Sequence, residues 1–136
     1  MSVIPPDLRL ANWRRAGGCY EYCLIHEEDW LVLHQPDHII AEQHGGQAVL
    51  DNLALACIKC NRLKGPNIAS IDPETGQGIF LFHPRRDKWS DHFKLEGARI
   101  APLTATGRAT ATLLKFNVPE RVESRQLLMF AGRYPH

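Results

Sequence analysis

The sequence predicts an α+β domain in which an N-terminal helix, short strands and two C-terminal helices surround an irregular segment. This segment, residues 41–52, is called the excursion. Residues 7–16 mix apolar and arginine side chains in an amphipathic pattern that ends at Gly17-Gly18, which is typical of a short helix. The apolar runs 30–33 and 79–83 are rich in residues that favour strands. Two close cysteine pairs on either side of the excursion predict that its ends meet at a metal ion.

Turn and capping signals divide the chain further. Asp7, which follows two prolines, is expected to cap the first helix. A second, short helix is expected from Asn61 to before Ser70. The segment 71–78 is rich in turn residues. We therefore predict a motif-bearing region over 1–70 and an extension over 71–136, packed together as one domain.

The extension is predicted to contain a short β-hairpin and two helices. Residues 92–95 and 98–100 are the predicted strands of the hairpin. The helices are predicted over 104–116 and 119–132, the second with proline in its first turn and glycine at its end. Their apolar faces predict core positions at Ala109, Leu113, Phe116, Leu127, Phe130, Ala131 and Tyr134. The tryptophans Trp13, Trp30 and Trp89 are also predicted to be core.

Composition narrows the class of protein. The chain has 136 residues, of which 44% are hydrophobic and 23% charged, which is enough to bury a core. The net charge of +1 is too small to attract nucleic acid by itself, so phosphate contacts require a local basic cluster. The N-terminus lacks a signal-peptide pattern and no apolar run approaches a membrane span, so we expect a cytoplasmic protein.

The cysteines predict a structural zinc site. Cys19 and Cys23 form one close pair, and Cys57 and Cys60 form the other. Four cysteines in two pairs suit a tetrahedral zinc ion, and a reducing compartment disfavours disulfides. The alternatives are four buried free thiols, since cysteine is often buried, and, less favoured, a disulfide.

A second set of residues predicts catalytic chemistry. Asp37 and Asn61 offer a carboxylate and an amide oxygen, which are ligands that a hard cation such as Mg²⁺ prefers. His38, next to Asp37, is placed to accept a proton from a water that attacks a substrate.

The run from residue 19 to residue 65 resembles the HNH endonucleases, and among them the zinc-stapled group. The shared pattern reads Cys19 and Cys23, Asp37-His38-Ile39, Gly45-Gly46, Asp51-Asn52-Leu53, and Cys57-Ile58-Lys59-Cys60-Asn61-Arg62-Leu63-Lys64-Gly65. The tail from 79 to 134 is similar to that of small stand-alone bacterial members.

The resemblance implies a ββα-metal core that hydrolyses DNA phosphodiesters with one Mg²⁺ or Mn²⁺ ion. Carried over by position, His38 is the general base, Asp37 a metal ligand, and Asn52 the residue that holds the loop orienting His38. Asn61 takes the final ligand position, which is histidine in many members. The expected products carry 5′-phosphate and 3′-hydroxyl ends, and cleavage of both strands would imply a dimer.

Other side chains are candidates for substrate contacts. Arg62 and Lys64 flank the predicted metal site and suit phosphate, and His44 lies on the excursion. For the cluster Arg85, Arg86 and Lys88, phosphate binding and a solvated face are equally good interpretations. His26 and His34 are weaker candidates for a ligand or a substrate contact.

Two other function classes remain open. One is a zinc-stabilised nucleic-acid-binding module without catalysis, which would bind zinc yet show no Mg²⁺-dependent cleavage. The other is a structural or toxin-partner protein that keeps the fold without turnover. A lost catalytic position would mark the latter, and Asp37, His38 and Asn61 are all present.

Overall fold

A computed structural model of the chain describes residues 4–29 and 35–135. The predicted strand at 30–33, with Trp30, and the candidate His34 lie outside the described residues. In chain order, the helices and strands are α1 Pro6–Ala16, β1 Gln35–His38, β2 Leu53–Ala56, α2 Ile58–Lys64, β3 Ala69–Ile71, β4 Gly78–Phe80, α3 Trp89–His92, β5 Phe93–Glu96, β6 Arg99–Pro102, α4 Ala105–Leu113 and α5 Pro119–Phe130. Among the described helices, none combines the length and apolar content that crossing a bilayer requires.

The centre of the fold is a ββα unit. Strands β1 and β2 pair antiparallel, with Asp37 opposite Ala54 and His38 opposite Leu53. Helix α2 begins directly after β2 because Cys57 caps it, with its Sγ accepting the main-chain N–H of Cys60 at 3.3 Å. This arrangement confirms the α+β class and the ββα core. The helix begins at Ile58 rather than at Asn61 and ends at Gly65.

Helix α1 is attached to the excursion between β1 and β2. It ends at Gly17 in the left-handed conformation, as predicted. Pro5, not Asp7, is its capping residue, and Asp7 lies in the first turn. Arg15 donates to the carbonyl oxygens of Leu50 at 2.7 Å and Leu53 at 2.6 Å, so the helix holds the end of the excursion against β2.

The extension contains two hairpins rather than one. Strands β5 and β6 form the predicted hairpin. A further hairpin, β3 with β4, crosses the boundary expected at 71–78, because its turn occupies residues 72–77. The predicted buried strand at 79–83 is wrong: β4 ends at Phe80, which is 71% exposed, and Leu81 and Phe82 are buried beyond it. The N–H of Phe82 donates to the Thr110 hydroxyl instead of to a strand.

A hydrophobic cluster joins the extension to the cysteine region. Tyr22 from the N-terminal part contacts Phe82 edge to face, with ring centroids 6.2 Å apart. Phe93 continues the contact to Phe82 and to Phe116, each at 5.6 Å between centroids. The buried thiol of Cys23 belongs to the same cluster. The extension therefore supplies much of the apolar packing around the cysteines.

The C-terminal helix buries arginines in place of the expected apolar residues. Arg121 and Arg125 are 4% and 0% exposed, whereas Leu127 and Phe130 are 66% and 96% exposed, so the core prediction is wrong for both of these and for the exposed Ala131. The predictions for Ala109, Phe116 and Tyr134 are confirmed, and Leu113, Trp13 and Trp89 pack partly buried against the core.

The reason for this reversal lies in buried carbonyl groups after α4 and in the turn between β5 and β6. Arg121, Arg125 and Leu128 follow one another at spacings of four and three and so share a helix face. The guanidinium of Arg125 donates to the carbonyl oxygens of Ala98 at 2.7 Å and Phe116 at 2.6 Å. Carbonyls at the end of a helix lack intrahelical partners, and these arginines satisfy buried ones.

A buried carboxylate links the β3–β4 hairpin to α4. Arg108 donates through Nε and Nη2 to the two carboxylate oxygens of Asp72, each at 2.9 Å, and Asp72 is fully buried. The Asp72 carboxylate also accepts from the main chain of Glu74 and the hydroxyl of Thr75. The hydrogen bonds from Arg108 hold the pKa of Asp72 well below its usual range.

We predict that replacing Asp72 by asparagine lowers the melting temperature at pH 7 and that the difference shrinks in acid. Because the folded-state pKa of Asp72 is lowered, its stabilising contribution is full above the unfolded-state pKa of about 4 and is lost as the pH falls toward the folded value. Thermal melts of both proteins from pH 7 to pH 3 measure this. A pH-independent difference between them would contradict the prediction.

Candidate metal and catalytic site

Three buried cysteines from separate parts of the chain lie together. Their sulfur atoms, those of Cys23, Cys57 and Cys60, are all within 4.8 Å of one another. The sulfurs of Cys23 and Cys57 are 3.9 Å apart. Two sulfurs bound to one tetrahedral zinc ion at 2.3 Å would be about 3.8 Å apart, so this spacing fits zinc.

The pKa values of the three thiols are shifted in different directions. Hydrogen bonds from Cys23 and Cys60 hold the pKa of the Cys57 thiol well below its usual range. The hydrogen bond to Cys57 raises the pKa of Cys23, and burial raises that of Cys60. A thiophilic cation would displace the protons that remain, which is the usual behaviour of a structural zinc site.

Cys19 is placed differently from the other three cysteines. Among the described residues, the group within 4.8 Å does not include it. Cys19 is half-buried, and its sulfur lies 3.4 Å from the carbonyl oxygen of Leu24. The structure thus brings three of the four predicted zinc ligands together, and Cys19 as the fourth stays a prediction.

Asp37 lies at the end of β1 in a buried ion pair. Its side chain is 3% exposed and accepts a 2.8 Å hydrogen bond from the hydroxyl of Tyr22. The ammonium of Lys64, on α2, lies 3.4 Å and 3.3 Å from its two oxygens. Burial raises the pKa of Asp37, and the charge of Lys64 opposes that rise.

His38 follows at the last position of β1. Its main-chain carbonyl accepts from the Lys64 ammonium at 3.1 Å, which fixes the backbone at this point. The Nε2 atom of its ring is buried and has no hydrogen-bond partner within residues 4–29 and 35–135. A buried imidazole nitrogen without a partner is costly unless a reactant, a water or an ion completes it. The Nε2 of His38 is thus available to a water, an ion or a reactant.

Asn52 connects the two ends of the excursion. Its side-chain oxygen accepts from the N–H of Ile40 at 2.9 Å, and its amide donates to the carbonyls of Ile40 and Gln47, each at 2.9 Å. Its own carbonyl accepts from the N–H of Ile39 at 2.9 Å. The residues that follow His38 are therefore held by a single asparagine. Such contacts are what a bracing role requires.

Gly46 passes close to the same loop. A Cβ atom at this position would lie 1.7 Å from the carbonyl oxygen of Ile40 and 2.8 Å from the Asn52 amide nitrogen. No side chain fits there without moving the backbone. The second glycine of the pair is thus required by close packing against Asn52.

Helix α2 carries two polar residues of the predicted site. Asn61 and Lys64 are three residues apart and so share a helix face. Lys64 reaches Asp37 on β1, and Asn61 is half-buried. Lys64 is 2% exposed and bonded to Asp37, so it does not occupy the exposed position that a phosphate contact needs. Arg62 is exposed on the same helix.

The Asp37 carboxylate is the kind of ligand that a hard divalent cation takes. A carboxylate has about four acceptor sites, and Tyr22 and Lys64 leave capacity for one more partner at Asp37. The unpartnered Nε2 atom belongs to His38, the residue that follows Asp37 in the chain. A cation at Asp37 would share this carboxylate with the Lys64 ammonium or displace it.

An open groove runs beside the excursion. It has a volume of about 710 Å³, and its lining includes Arg15, His44, Asn52, His83 and Arg86. Arg85 also lines it but is ion-paired with Glu21. His44 and Arg86 are exposed at this groove, whereas His26 bonds to the Gly17 carbonyl away from it. The groove gives an extended polyanion a partly basic path next to Asn52.

Sequence reasoning missed the contacts of Tyr22 and Lys64 with Asp37. The three-residue spacing of Asn61 and Lys64 was a usable signal for a shared helix face. Tyr22 comes to Asp37 only through tertiary packing, so no local pattern could indicate it.

Comparison with known families locates the site within a recognised domain. Residues 19–67 match the family model described as HNH endonuclease. That range contains the clustered cysteines, Asp37, His38, Asn52 and Asn61. No curated protein and no solved structure matches the chain significantly. The match supports a nuclease or nucleic-acid-binding function.

We predict that Gly46→Ala lowers the free energy of unfolding by at least about 1–3 kcal/mol, because overpacking against a main-chain carbonyl cannot be relieved by a rotamer change. Gly78→Ala is the matched control, since nothing lies within 4 Å of its Cβ position. Urea denaturation of both variants measures the effect. Equal stability of the two variants would show that the Ile40 contact is unimportant.

We further predict that Cys23→Ser loses most of its zinc affinity, because that sulfur belongs to the clustered group. Cys19→Ser should bind zinc less tightly than the unaltered protein and more tightly than Cys23→Ser. Zinc competition with a chromophoric chelator measures all three. An unaltered affinity in Cys19→Ser would exclude Cys19 as the fourth ligand.

Proposed function

We propose that the protein is a metal-dependent DNA endonuclease, on the premise that residues 19–67 match the HNH endonuclease family model. In this proposal His38 is the general base, and Asp37 and Asn61 are the residues that would hold a catalytic Mg²⁺ or Mn²⁺ ion. Asn52 orients the loop after His38. The structural zinc site is assigned to Cys23, Cys57 and Cys60, with Cys19 as the proposed fourth ligand.

The observation that carries the proposal is the unpartnered Nε2 of His38 beside a buried carboxylate. A nitrogen in this position can accept a proton from an attacking water once a substrate lies against it.

The surrounding residues fix the histidine before substrate arrives. Lys64 holds the main-chain carbonyl of His38, and Asn52 holds the two residues that follow it. Preorganised groups do not need to be ordered during the reaction, so this bracing favours proton transfer over rearrangement.

The proposed reaction hydrolyses one phosphodiester bond. His38 Nε2 takes a proton from water as the water oxygen attacks phosphorus and the P–O3′ bond breaks. The departing O3′ takes a proton from solvent water, which leaves a 5′-phosphate and a 3′-hydroxyl. A divalent cation, which Asp37 and Asn61 would hold, would supply stabilisation of the negative charge that develops in the reaction. Asp37 keeps its carboxylate in place through Tyr22 and Lys64.

The substrate path is proposed along the groove beside the excursion. Arg62 and His44 are exposed and near the site, and Arg86 lines the groove. These cationic or titratable side chains would contact phosphates rather than bases, which suits binding with little sequence preference. One site cuts one strand per binding event, so double-strand cleavage would suggest that two copies pair.

A second candidate is a nucleic-acid-binding module in which only the zinc is bound. The ion pair between Lys64 and Asp37 favours it, because the buried carboxylate already has a cationic partner. The two candidates differ in whether cleavage depends on Mg²⁺ or Mn²⁺.

We predict that the zinc-loaded protein nicks supercoiled plasmid when Mg²⁺ or Mn²⁺ is added and that His38→Ala slows nicking by about 10²- to 10⁴-fold, the usual contribution of a general base. Gel assays measure the rate. Zinc content and melting temperature should match those of the unaltered protein, which separates lost chemistry from lost fold.

The His38→Ala variant, purified in the same way as the unaltered protein, is the control for contaminating nucleases. Undiminished nicking by that variant would refute the role of His38. DNA binding without metal-dependent cleavage by the unaltered protein would favour the binding module. Mapping the product termini tests the bond that breaks.

A further inference from the structure

The C-terminal helix places a buried arginine against the cysteine group. Arg121 on α5 donates from Nη2 to the sulfur of Cys60 at 3.1 Å and lies 3.8 Å from that of Cys57. Its side chain is 4% exposed. This residue is outside the 19–67 range of the family match, so the contact joins the extension to the metal site.

The guanidinium is fixed by contacts on its other sides. Its Nη1 atom donates to the carbonyl oxygen of Leu114, and its central carbon lies 5.7 Å from the centre of the Phe116 ring. Both of these partners belong to the segment between α4 and α5. The group is therefore held at the sulfurs by packing.

The negative charge of a zinc–thiolate site explains what the Arg121 guanidinium would do there. Three or four thiolates around one divalent cation leave a net charge of −1 or −2 in a region that water does not reach. A buried charge of that kind is costly unless a cation or hydrogen-bond donors compensate it. Arg121 supplies both, because the guanidinium is permanently charged and its N–H groups point at ligand sulfurs.

We propose that Arg121 is a positioning residue of the zinc centre. It raises the affinity of the cysteine group for zinc by donating hydrogen bonds to Cys60 and Cys57, and it makes the docking of α5 depend on the metal. The inference rests on the cysteine site and is independent of nuclease activity.

Arg125 provides a matched comparison. It lies one turn further along α5, is completely buried, and directs its described hydrogen bonds to oxygen atoms of Ala98, Phe116 and Asn117. Replacing either arginine removes a buried cation and its carbonyl contacts. The described sulfur contacts are made by Arg121.

The test measures zinc affinity of the full chain by competition with a chromophoric chelator. We expect Arg121→Met to weaken zinc binding by about 10- to 100-fold, the usual loss when a partner of a metal ligand is removed. Arg125→Met should be less stable than the unaltered protein, but its zinc affinity should stay within about threefold of the unaltered value, well below the loss expected for a partner of a metal ligand. Arg121→Lys, which keeps the charge, should fall between Arg121→Met and the unaltered protein.

Spectroscopy separates a contact with the sulfurs from a general loss of stability. With Co²⁺ in place of zinc, the thiolate charge-transfer bands should shift in Arg121→Met and remain in place in Arg125→Met. Equal affinity losses in the two variants, with unshifted bands in both, would overturn the proposal.

A second measurement covers the case in which Arg121→Met does not fold. Hydrogen exchange of the unaltered protein, with and without a zinc chelator, should show residues 119–130 losing protection together with residues 57–64. Retained protection over 119–130 after the zinc is removed would overturn the coupling of α5 to the metal.

Discussion

The meeting of Cys23 with Cys57 and Cys60 is the contact on which the rest of the structure depends. It brings the turn after α1 against the start of α2, although the residues are more than thirty positions apart in the chain. The strands β1 and β2 lie between these points, so their pairing and the excursion that joins them are closed at the base. A metal ion at the sulfurs would make that closure part of the folding free energy.

A second constraint acts at the other end of α2. Lys64 reaches from the end of α2 to Asp37 and to the carbonyl of His38 on β1. The start of α2 is held by the clustered cysteines and its end by this ion pair. Breaking such a buried pair by removing one partner usually costs several kcal/mol, because the remaining charge stays desolvated. The charge of Lys64 also opposes the rise in the pKa of Asp37 that burial causes. Stability and site chemistry therefore depend on the same lysine.

The sequence was sufficient for the elements with local signals. The glycine after α1, the β5–β6 hairpin and the proline that opens α5 are recognisable without tertiary information, and the resemblance to the HNH endonucleases implied the ββα unit. The buried face of α5 was not predictable in this way, because arginine is rarely buried and its partners are carbonyls from distant segments. The burial of Lys64 was missed for the same reason, because lysine is also rarely buried. Its burial is possible only because Asp37, far away in the sequence, pairs with it.

The aromatic contacts of the extension have a consequence for the size of the smallest stable fragment. The ring of Tyr22, one position before Cys23, packs on Phe82. Tyr134 closes the other side by donating its hydroxyl proton to the carbonyl of Cys23 at 2.8 Å. A fragment cut to the recognised domain would expose both surfaces. The unit that folds is thus larger than the unit that carries the motif, and recombination of this domain into other chains would need to carry its C-terminal helices with it.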